Sequence, residues 1–465
     1  MKIPAICSLC LLLWVSPAAA EAPPAVTPGM VERAHSLMAE ARRENVAYAV
    51  VESLTTEVGP RLAGTDAEER ARQWALRTLR DLGFESVREE RFEVPLWSRG
   101  EERAEIVAPF PQPLRITALG GSTATGAAGV EGDVVAVASV AELRAAPAAS
   151  LSGRIVFVDE VMARSRDGSG YVLAVGKRRM AAYLAAEKGA LAVLIRSVGT
   201  SSHRFAHTGQ MRRVTDEGAS GVPAAALTAP DADQLRRALA FGGPVRVRVV
   251  LTPRTGTLAP SGNVIADIPG REAPDEIVLV GAHLDSWDQG TGAVDDGAGV
   301  GIVVAAAKLL MDHLPEGPRR TVRVVLFGSE EVGLVGAAHY ARVHAGELEG
   351  HIVATESDFG AGDIWRFDSN VAEHALPAAD AIGEVLAKLG IARGGNTAHG
   401  GPDMKYIREA GVPVVGLMQD GTDYFDLHHT PDDTLDKIAP RDLDQNVAAY
   451  AAFLYLVAEG RVSFR

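Results

Sequence analysis

Histidine and carboxylate residues recur at the ends of apolar or Gly-rich segments in the second half of the chain. These residues are His283, Asp295, Asp296, Glu330, Glu331, Asp358, His428 and His429. Imidazole and carboxylate groups are the ligands from which metal sites without cysteine are built. A set of this size can hold two metal ions and still leave one carboxylate free as a base. The pattern therefore predicts a two-metal hydrolase and favours a peptidase.

The elements that must position these residues are apolar runs of strand length. Residues 277–280 precede His283, residues 322–327 precede the Glu pair, and residues 351–355 precede Asp358. Helical stretches between the runs predict an α/β fold with a mostly parallel sheet and helices on both faces. Ligands of open α/β sheets bind beyond the carboxyl ends of the strands. We therefore expect the chemical residues to meet on one rim.

His283 and the acidic pair that follows it each have two interpretations. A histidine next to Asp285 is often only a capped surface residue. A metal-bound imidazole, however, gives its second N–H to a carboxylate, carbonyl or water, and Asp285 is placed to accept it. Asp295 and Asp296 fit an ordinary turn with a helix N-cap. In this setting one of their carboxylates could instead bridge two cations about 3.5–4 Å apart.

Glu330 and Glu331 are the most specific pair, because adjacent carboxylates repel and usually lie on a solvated surface. If one binds metal, the other can remain free as a general base on a water whose pKa falls from about 15.7 to about 7. His428 and His429 leave open which one is a ligand, and a surface loop is the alternative. His207 either reaches the substrate or belongs to a loop.

Composition limits the class of partner and the class of metal site. The formal charge is −14, with Cys7 and Cys10 as the cysteines. Nucleic acid is disfavoured as a partner because phosphate contacts need Lys and Arg. Both cysteines lie within residues 1–20, which are expected to be removed as a signal peptide. The mature chain would then have no thiolate ligands, so a mixed N/O site for zinc, manganese or cobalt is expected.

The first residues predict export. An apolar run over 6–15, followed by the small residues 18–20, is typical of a cleaved signal peptide. The run is about half the ~20 residues that span a bilayer, so a retained membrane anchor is the weaker alternative. We expect a soluble, secreted or periplasmic protein without membrane association after cleavage.

The length of the chain after residue 20, and the change in its pattern of strands and helices, predict two domains. After the signal peptide at 1–20, residues 21–110 are expected to form the N-terminal part of a catalytic domain. Residues 111–257 carry strands and a helix without a metal-type cluster, which indicates an inserted α/β domain. Residues 258–465 are expected to complete the di-metal catalytic domain.

The motifs together resemble the co-catalytic zinc exopeptidases, a family that includes bacterial secreted aminopeptidases and plasma glutamate carboxypeptidase. The likeness is greatest to the plasma glutamate carboxypeptidase branch and covers most of the mature chain. It lies in the segments 283–288, 295–297, 330–331, 356–358 and 428–429, and outside the site in 94–102, 194–198 and 207–209.

The resemblance implies two Zn²⁺ ions per chain and assigns their ligands. Asp295 is similar to the bridging ligand of the family. His283 and Asp358 would complete one metal site, and Glu331 and His429 the other.

The same resemblance assigns Glu330 as the general base and Asp285 as the partner that orients the first histidine. It implies a cis peptide after the bridging Asp295, and a protease-associated-like fold for the inserted domain. It also implies a homodimer. The loop that carries Tyr424 departs from the family pattern, which leaves side-chain preference open. Tyr424 itself is a candidate oxyanion donor.

The function that these expectations support is a secreted two-zinc exopeptidase acting on dipeptides or short peptides with a free N-terminus. A first alternative is a metal-dependent hydrolase of another amide, such as an N-acyl or cyclic amide. A second is a non-catalytic, receptor-like module that kept the fold; such modules usually lose ligands, and the full set is present in this sequence.

Overall fold

The protein is described by a computed structural model over residues 26–212 and 221–465. The predicted signal peptide at 1–20 lies outside the described residues. Within the part that is described, no helix combines the length and the apolar character needed to cross a bilayer.

The helices and the strands of the described chain are each numbered in chain order. The helices are α1 (Pro28–Ala41), α2 (Ala47–Glu57), α3 (Asp66–Asp81), α4 (Val140–Ala145), α5 (Ala148–Leu151), α6 (Ser169–Glu187), α7 (Ala229–Ala240), α8 (Ala298–His313), α9 (Val335–Val343), α10 (Leu376–Leu386), α11 (Lys405–Glu409), α12 (Tyr424–Leu427) and α13 (Asp444–Glu459). The strands are β1 (Ser86–Ser98), β2 (Glu102–Ala108), β3 (Gln112–Leu114), β4 (Ile116–Ala118), β5 (Val130–Val137), β6 (Ile155–Val158), β7 (Ala192–Arg196), β8 (Ala224–Leu227), β9 (Arg246–Leu251), β10 (Arg254–Ile268), β11 (Ala273–His283), β12 (Arg320–Phe327), β13 (His351–Glu356), β14 (Ile364–Asn370), β15 (Ala392–Arg393) and β16 (Val414–Gln419).

The first sheet has the strand order β1-β10-β12-β11-β13-β16-β14-β15. Its centre, β12-β11-β13-β16, is parallel throughout. Antiparallel pairs flank this centre, with β10 against β12 on one side and β14 against β16 on the other. The predicted α/β class is confirmed. The parallel core carries the strands whose ends are expected to form the site.

Helices cover both faces of this sheet, because alternate side chains of β11 point to opposite cores. Val278 and Val280 are buried in the core that contains the apolar faces of α8 and α13. Leu279, between them, is buried with Tyr340 of α9 and Met404. A strand buried on both faces must be apolar at successive positions, which explains the uninterrupted run that marks β11 in the sequence.

The second sheet has the order β3-β2-β9-β5-β6-β7-β8-β4. The chain reaches it from β1 and leaves it into β10, and these two strands pair antiparallel from Ser86 with Asp267 to Ser98 with Arg254. The second sheet is therefore joined to the first through one two-stranded ribbon. Its first strand, β2, starts earlier than the predicted boundary at 111. The division into 21–110, 111–257 and 258–465 stays a prediction.

The start of α8 packs directly onto the end of β13, and a glycine makes this possible. A Cβ at Gly299 would lie 2.0 Å from the carbonyl oxygen of Ser357 and 2.3 Å from Oδ1 of Asp296. Asp296 accepts hydrogen bonds from the backbone N–H groups of Gly299 (3.1 Å) and His283 (3.1 Å). One carboxylate thus fastens the first turn of α8 to the last residue of β11.

We predict that Gly299→Ala destabilises the protein by about 2–3 kcal/mol, the usual effect of overpacking a rigid contact. In an unconstrained helix the same change would add about 0.5–1 kcal/mol of stability. The free energy of unfolding from a denaturant titration measures the effect. Gly346→Ala is the matched control, because no heavy atom lies within 4 Å of its added Cβ. Equal stability of the two variants would contradict the assigned contact.

Candidate active site

The predicted chemical residues lie on one rim of the first sheet. His283 is the last residue of β11, and Glu330 and Glu331 follow β12. Asp358 follows β13, and His429 follows the short helix α12. Because the central strands are parallel, their carboxyl ends meet at the same edge.

The first cluster contains His283, Asp295 and Asp358. The imidazole Nε2 of His283 lies 3.1 Å from Oδ1 of Asp295 and 3.5 Å from Oδ1 of Asp358. One ligand atom from each of the three lies within 4.8 Å of the others. His283 and Asp295 are buried.

The backbone of Asp285, rather than its carboxylate, is the nearer partner of His283. The carbonyl oxygen of Asp285 lies 2.9 Å from Nδ1 and accepts its proton, whereas the carboxylate Oδ1 is 3.8 Å away. This carboxylate instead accepts the backbone N–H of Glu330 at 3.0 Å. The proton on Nδ1 leaves the Nε2 lone pair directed at Asp295 and Asp358. Asp285 therefore connects the histidine to the Glu pair.

The second cluster gathers on the other oxygen of Asp295. Nε2 of His429 lies 3.3 Å from Oδ2 of Asp295 and 2.9 Å from Oε2 of Glu331. His428 is also within reach, with its Nε2 at 3.7 Å from the same Oδ2, and its ring stacks on that of His429 with centroids 3.5 Å apart. Trp287 holds Glu331 by donating from Nε1 to Oε2 at 2.7 Å.

The backbone of Asp295 is held in place by the carboxylate of Asp433. Asp433 accepts the backbone N–H groups of Val294 (2.7 Å) and Asp295 (3.2 Å) through its two carboxylate oxygens. The peptide between Asp295 and Asp296 is cis, as the resemblance implied. The two carboxylate oxygens of Asp295 face different clusters, with Oδ1 toward His283 and Oδ2 toward His429.

The loop between β11 and α8 is fixed by a guanidinium that is fully buried. Arg61 donates to the carbonyl oxygens of Leu284 (2.6 Å), Thr291 (2.6 Å) and Gly292 (2.9 Å). Burial lowers the pKa of Arg61, and the nearby charges of Asp433 and Asp285 oppose this shift by favouring the cation. Arg61 binds three carbonyls of one loop, which fixes the path of the chain between His283 and Asp295.

Electrostatics among the protein groups alone strongly favours a cation at this rim. Burial, together with neighbouring carboxylates, raises the pKa of Asp285 to about 7 and that of Asp358 to about 6. Burial also raises the pKa of Glu330 well above its usual value, with Glu331 adding to the effect. Burial acts against protonation of His429, but Glu331 and Asp295 raise its pKa to about 9. The clustered negative charge thus retains protons that cations could replace.

The donor set fits divalent metal ions. Oδ2 of Asp295 and Oε1 of Glu331 are buried without a hydrogen-bond donor among the described residues. A buried carboxylate oxygen ordinarily has a partner, so such orphaned atoms need another positive neighbour. A divalent metal ion bound by the imidazole nitrogens and carboxylate oxygens that converge from different elements would supply one.

The loop that carries His429 is fastened to the second sheet's unit. His207 Nδ1–H donates to the carbonyl oxygen of His428 at 2.7 Å. The backbone N–H of Thr208 donates to the carbonyl oxygen of His429 at 3.1 Å, and Nδ1 of His429 lies 3.3 Å from the carbonyl oxygen of Thr208. Burial lowers the pKa of His207 to about 4, so this imidazole stays neutral. Of the two predicted roles of His207, the structure places it in a supporting loop.

A cavity of about 740 Å³ opens beside both clusters and is the space available to a substrate. Glu330, Asp358 and Tyr424 line it, and so does Arg178 from α6. Glu330 and Glu331 both line this cavity, and Glu331 is in addition held by Trp287 and His429, which gives the adjacent glutamates different environments.

Sequence reasoning missed several supporting residues. Asp433 stands out in the sequence only as part of a polar loop, although a Pro-Asp-Asp run near candidate ligands was a usable signal. Arg61 lies far along the chain from the loop that it holds, and no local pattern indicates it. Arg178 and Thr208 likewise act through contacts between distant segments.

The chain and its fold are similar to those of known peptidases. A model of Peptidase family M28 matches residues 263–454. Carboxypeptidase Q of Homo sapiens is 33% identical over 419 residues, an alignment that covers 90% of this chain and 86% of that protein. This chain belongs to peptidase family M28. It is therefore a metallopeptidase, and the expected relationship to co-catalytic exopeptidases is confirmed.

One further sequence relative and two solved structures are also similar to this chain. An aminopeptidase of Bacillus subtilis (strain 168) is 24% identical over 433 residues, covering 88% of this chain and 84% of that protein. The crystal structure of a peptidase M28 precursor from Shewanella amazonensis SB2B is 49% identical, with a TM-score of 0.91, and covers 94% of this chain and 98% of that one. A zinc aminopeptidase from Bacillus subtilis has a TM-score of 0.64 at 22% identity, covering 90% and 96% of the two chains, which shows a shared fold.

We predict that His207→Ala lowers the affinity for a divalent metal about tenfold, because the loop of His428 and His429 loses its support. Competition with a chromophoric chelator measures the affinity. His203→Ala is the matched control, because this histidine of the same loop has 60% of its side chain exposed. Unchanged metal affinity in His207→Ala would show that the hydrogen bond to His428 does not support the ligand loop.

Proposed function

We propose that this M28 metallopeptidase is an exported two-zinc exopeptidase that cleaves dipeptides or short peptides with a free N-terminus. One observation carries the proposal. Nε2 of His283 and Nε2 of His429 approach opposite oxygens of the same carboxylate, Asp295, at 3.1 and 3.3 Å. A carboxylate shared in this way suits two cations in one site.

These contacts support the ligand assignment that the family resemblance implies. Asp295 would bridge, His283 and Asp358 would hold one ion, and Glu331 and His429 the other. A mixed set of imidazole and carboxylate ligands suits zinc, and one fold relative is a zinc aminopeptidase. Two bound zinc ions would supply Lewis-acid polarisation of the scissile carbonyl and a water of lowered pKa.

Glu330 is the proton carrier of the proposed reaction. Its carboxylate takes a proton from the attacking water and passes it to the nitrogen of the leaving amine, so that the peptide C–N bond breaks without release of an amide anion. The backbone N–H of Glu330 donates to Oδ1 of Asp285 at 3.0 Å, and this hydrogen bond helps to fix the position of Glu330. Two divalent cations would oppose the raised pKa of Glu330 and favour its basic form.

Tyr424 lines the same cavity and would act there as a neutral hydrogen-bond donor. Burial, followed by the charge of Asp295, raises the pKa of Tyr424 well above its usual value, so the phenol keeps its proton. A phenol O–H directed at the developing oxyanion would stabilise it. Export after removal of residues 1–20 is part of the proposal. The homodimer and the protease-associated-like fold of the insertion stay predictions.

We predict opposite failures for substitutions at the two adjacent glutamates. Glu330→Gln should keep its metal while kcat falls about 10²–10⁴-fold, the usual contribution of a general base. Glu331→Gln should lose metal from the site of His429, because it removes a charged ligand. Metal content by elemental analysis and turnover of a dipeptide measure both. Near-normal turnover in Glu330→Gln would remove this residue from the proposed mechanism.

The function is tested with a mixed dipeptide library and its N-acetylated counterpart, each incubated with zinc-loaded and with chelated protein. We expect zinc-dependent cleavage confined to the free-amine library, because blocking the amine removes the N-terminal charge that an exopeptidase reads. Mass spectrometry identifies the products and the preferred side chains. Cleavage of the acetylated library, or of neither library by the zinc-loaded protein, would favour a different amide substrate.

A further inference from the structure

Arg178 is a buried cation in the wall of the substrate cavity. It lies on α6, is 5% exposed, and lines the same 740 Å³ cavity as Glu330 and Asp295. Its hydrogen-bond neighbours in the described chain are His429, 3.3 Å from Nη1, and the hydroxyl of Tyr171 at Nη2. Neither is a carboxylate. Its Nε is buried without a partner among the described residues.

The contact between Arg178 and His429 does not satisfy the guanidinium. If Nε2 of His429 is a metal ligand, the neutral imidazole carries its proton on Nδ1. That proton is directed at the carbonyl oxygen of Thr208, 3.3 Å away. Nη1 of Arg178 then faces an N–H group and has nothing to donate to. Both Nη1 and Nε are left without an acceptor from the described residues.

The backbone makes room for this guanidinium. Gly209 has φ +132°, and a Cβ there would lie 2.4 Å from Nη1 and 2.8 Å from Nε of Arg178. Any side chain at position 209 would therefore displace the cation. A buried guanidinium ordinarily pairs with an anion, and its planar fork matches a carboxylate through two parallel hydrogen bonds.

We propose that Arg178 determines specificity by binding the free C-terminal carboxylate of a substrate whose scissile bond lies one residue before that terminus. This assignment rests on the proposed function. It makes the enzyme a dipeptidase that reads both ends of its substrate. The glutamate and the metal ligands act at the bond, and Arg178 acts at the terminus of the leaving residue.

The spacing agrees with this assignment. Nη1 of Arg178 touches the Nδ1 side of the His429 ring, and Nε2 on the other side of the same ring faces Asp295 and Glu331. One imidazole therefore separates the cation from the proposed metal site. Consecutive Cα atoms lie about 3.8 Å apart, so the carboxylate of the residue after the scissile bond is about one residue length from the reacting carbon. A longer peptide would place a neutral amide there.

The test compares three probes of one sequence: alanyl-leucine, alanyl-leucinamide and alanyl-leucyl-glycine. We expect kcat/KM of the wild type for alanyl-leucine to exceed that for the amide by about 10–100-fold, the size of one charge-assisted hydrogen bond. The tripeptide should resemble the amide. In Arg178→Gln this ratio should fall to near one, and Arg178→Lys should give an intermediate ratio because it keeps the charge and loses the fork.

Arg179→Gln is the comparison variant, because it removes the same charge from the next residue of α6, which is exposed and also lines the cavity. It should keep the wild-type ratio if the buried guanidinium of Arg178 makes the specific contact. A second readout does not need turnover. Calorimetric Kd values for alanyl-leucine and its amide, measured in Glu330→Gln with and without the Arg178→Gln change, should show the same difference.

The outcomes separate the two proposals. Equal cleavage of dipeptide and amide by the wild type, or a wild-type ratio retained in Arg178→Gln, overturns the assignment of Arg178 and leaves the exopeptidase proposal standing. A lowered ratio in Arg179→Gln also overturns it, because a general field would then explain the preference. Cleavage of no probe by the zinc-loaded wild type overturns the proposed function and this inference with it.

Discussion

Like-charged carboxylates buried side by side are the constraint on which the rest of this structure depends. Asp285, Asp295, Asp296 and Asp433 are each almost fully buried within one rim of the sheet. In a low-dielectric interior such groups repel one another, and each loses hydration. Backbone N–H groups donate hydrogen bonds to the carboxylates of Asp296 and Asp433, which partly replaces the lost hydration. What these donors leave unbalanced is the negative charge that two divalent ions would neutralise.

The second sheet's unit supplies the opposite polarity. Its helix α6 carries Arg178 into the cavity, and its loop at His207 and Thr208 supports the segment that ends at His429. The cavity therefore has an acidic wall from the first sheet and a cationic group from the second. A small molecule with separated charges would be oriented by this arrangement before any bond changes, which is how a site restricts the length of its substrate.

The sequence predicts the parts of the site that local patterns control. An apolar run followed by His or acidic residues marks a strand end, so β11, β12 and β13 and the candidate ligands that follow them are predicted together. Thr65 is a recognisable helix cap, and its side chain accepts the N–H of Glu68. The antiparallel strands β10 and β14, each one position in from an edge of the sheet, were not recognised, because their partners and burial depend on distant segments. Arg61 was missed for the same reason, because it acts on a loop far away in the chain. Asp433 lies in a recognisable polar loop, but its contact with the backbone of Asp295 depends on a distant segment.

The ribbon of β1 and β10 bears on how this enzyme can be divided. The match to the family model begins at residue 263 and ends at residue 454. Those limits suggest that this segment is an independent catalytic domain. His207 and Thr208, which support the loop of His429, and Arg178 beside that histidine nevertheless lie before residue 263. Arg61 lies still earlier in the chain. A fragment cut at residues 263 and 454 would contain the candidate metal ligands. It would lack the residues that hold those ligands in position. In recombination between relatives, the insertion and the ligand loop of His429 would need to be inherited together.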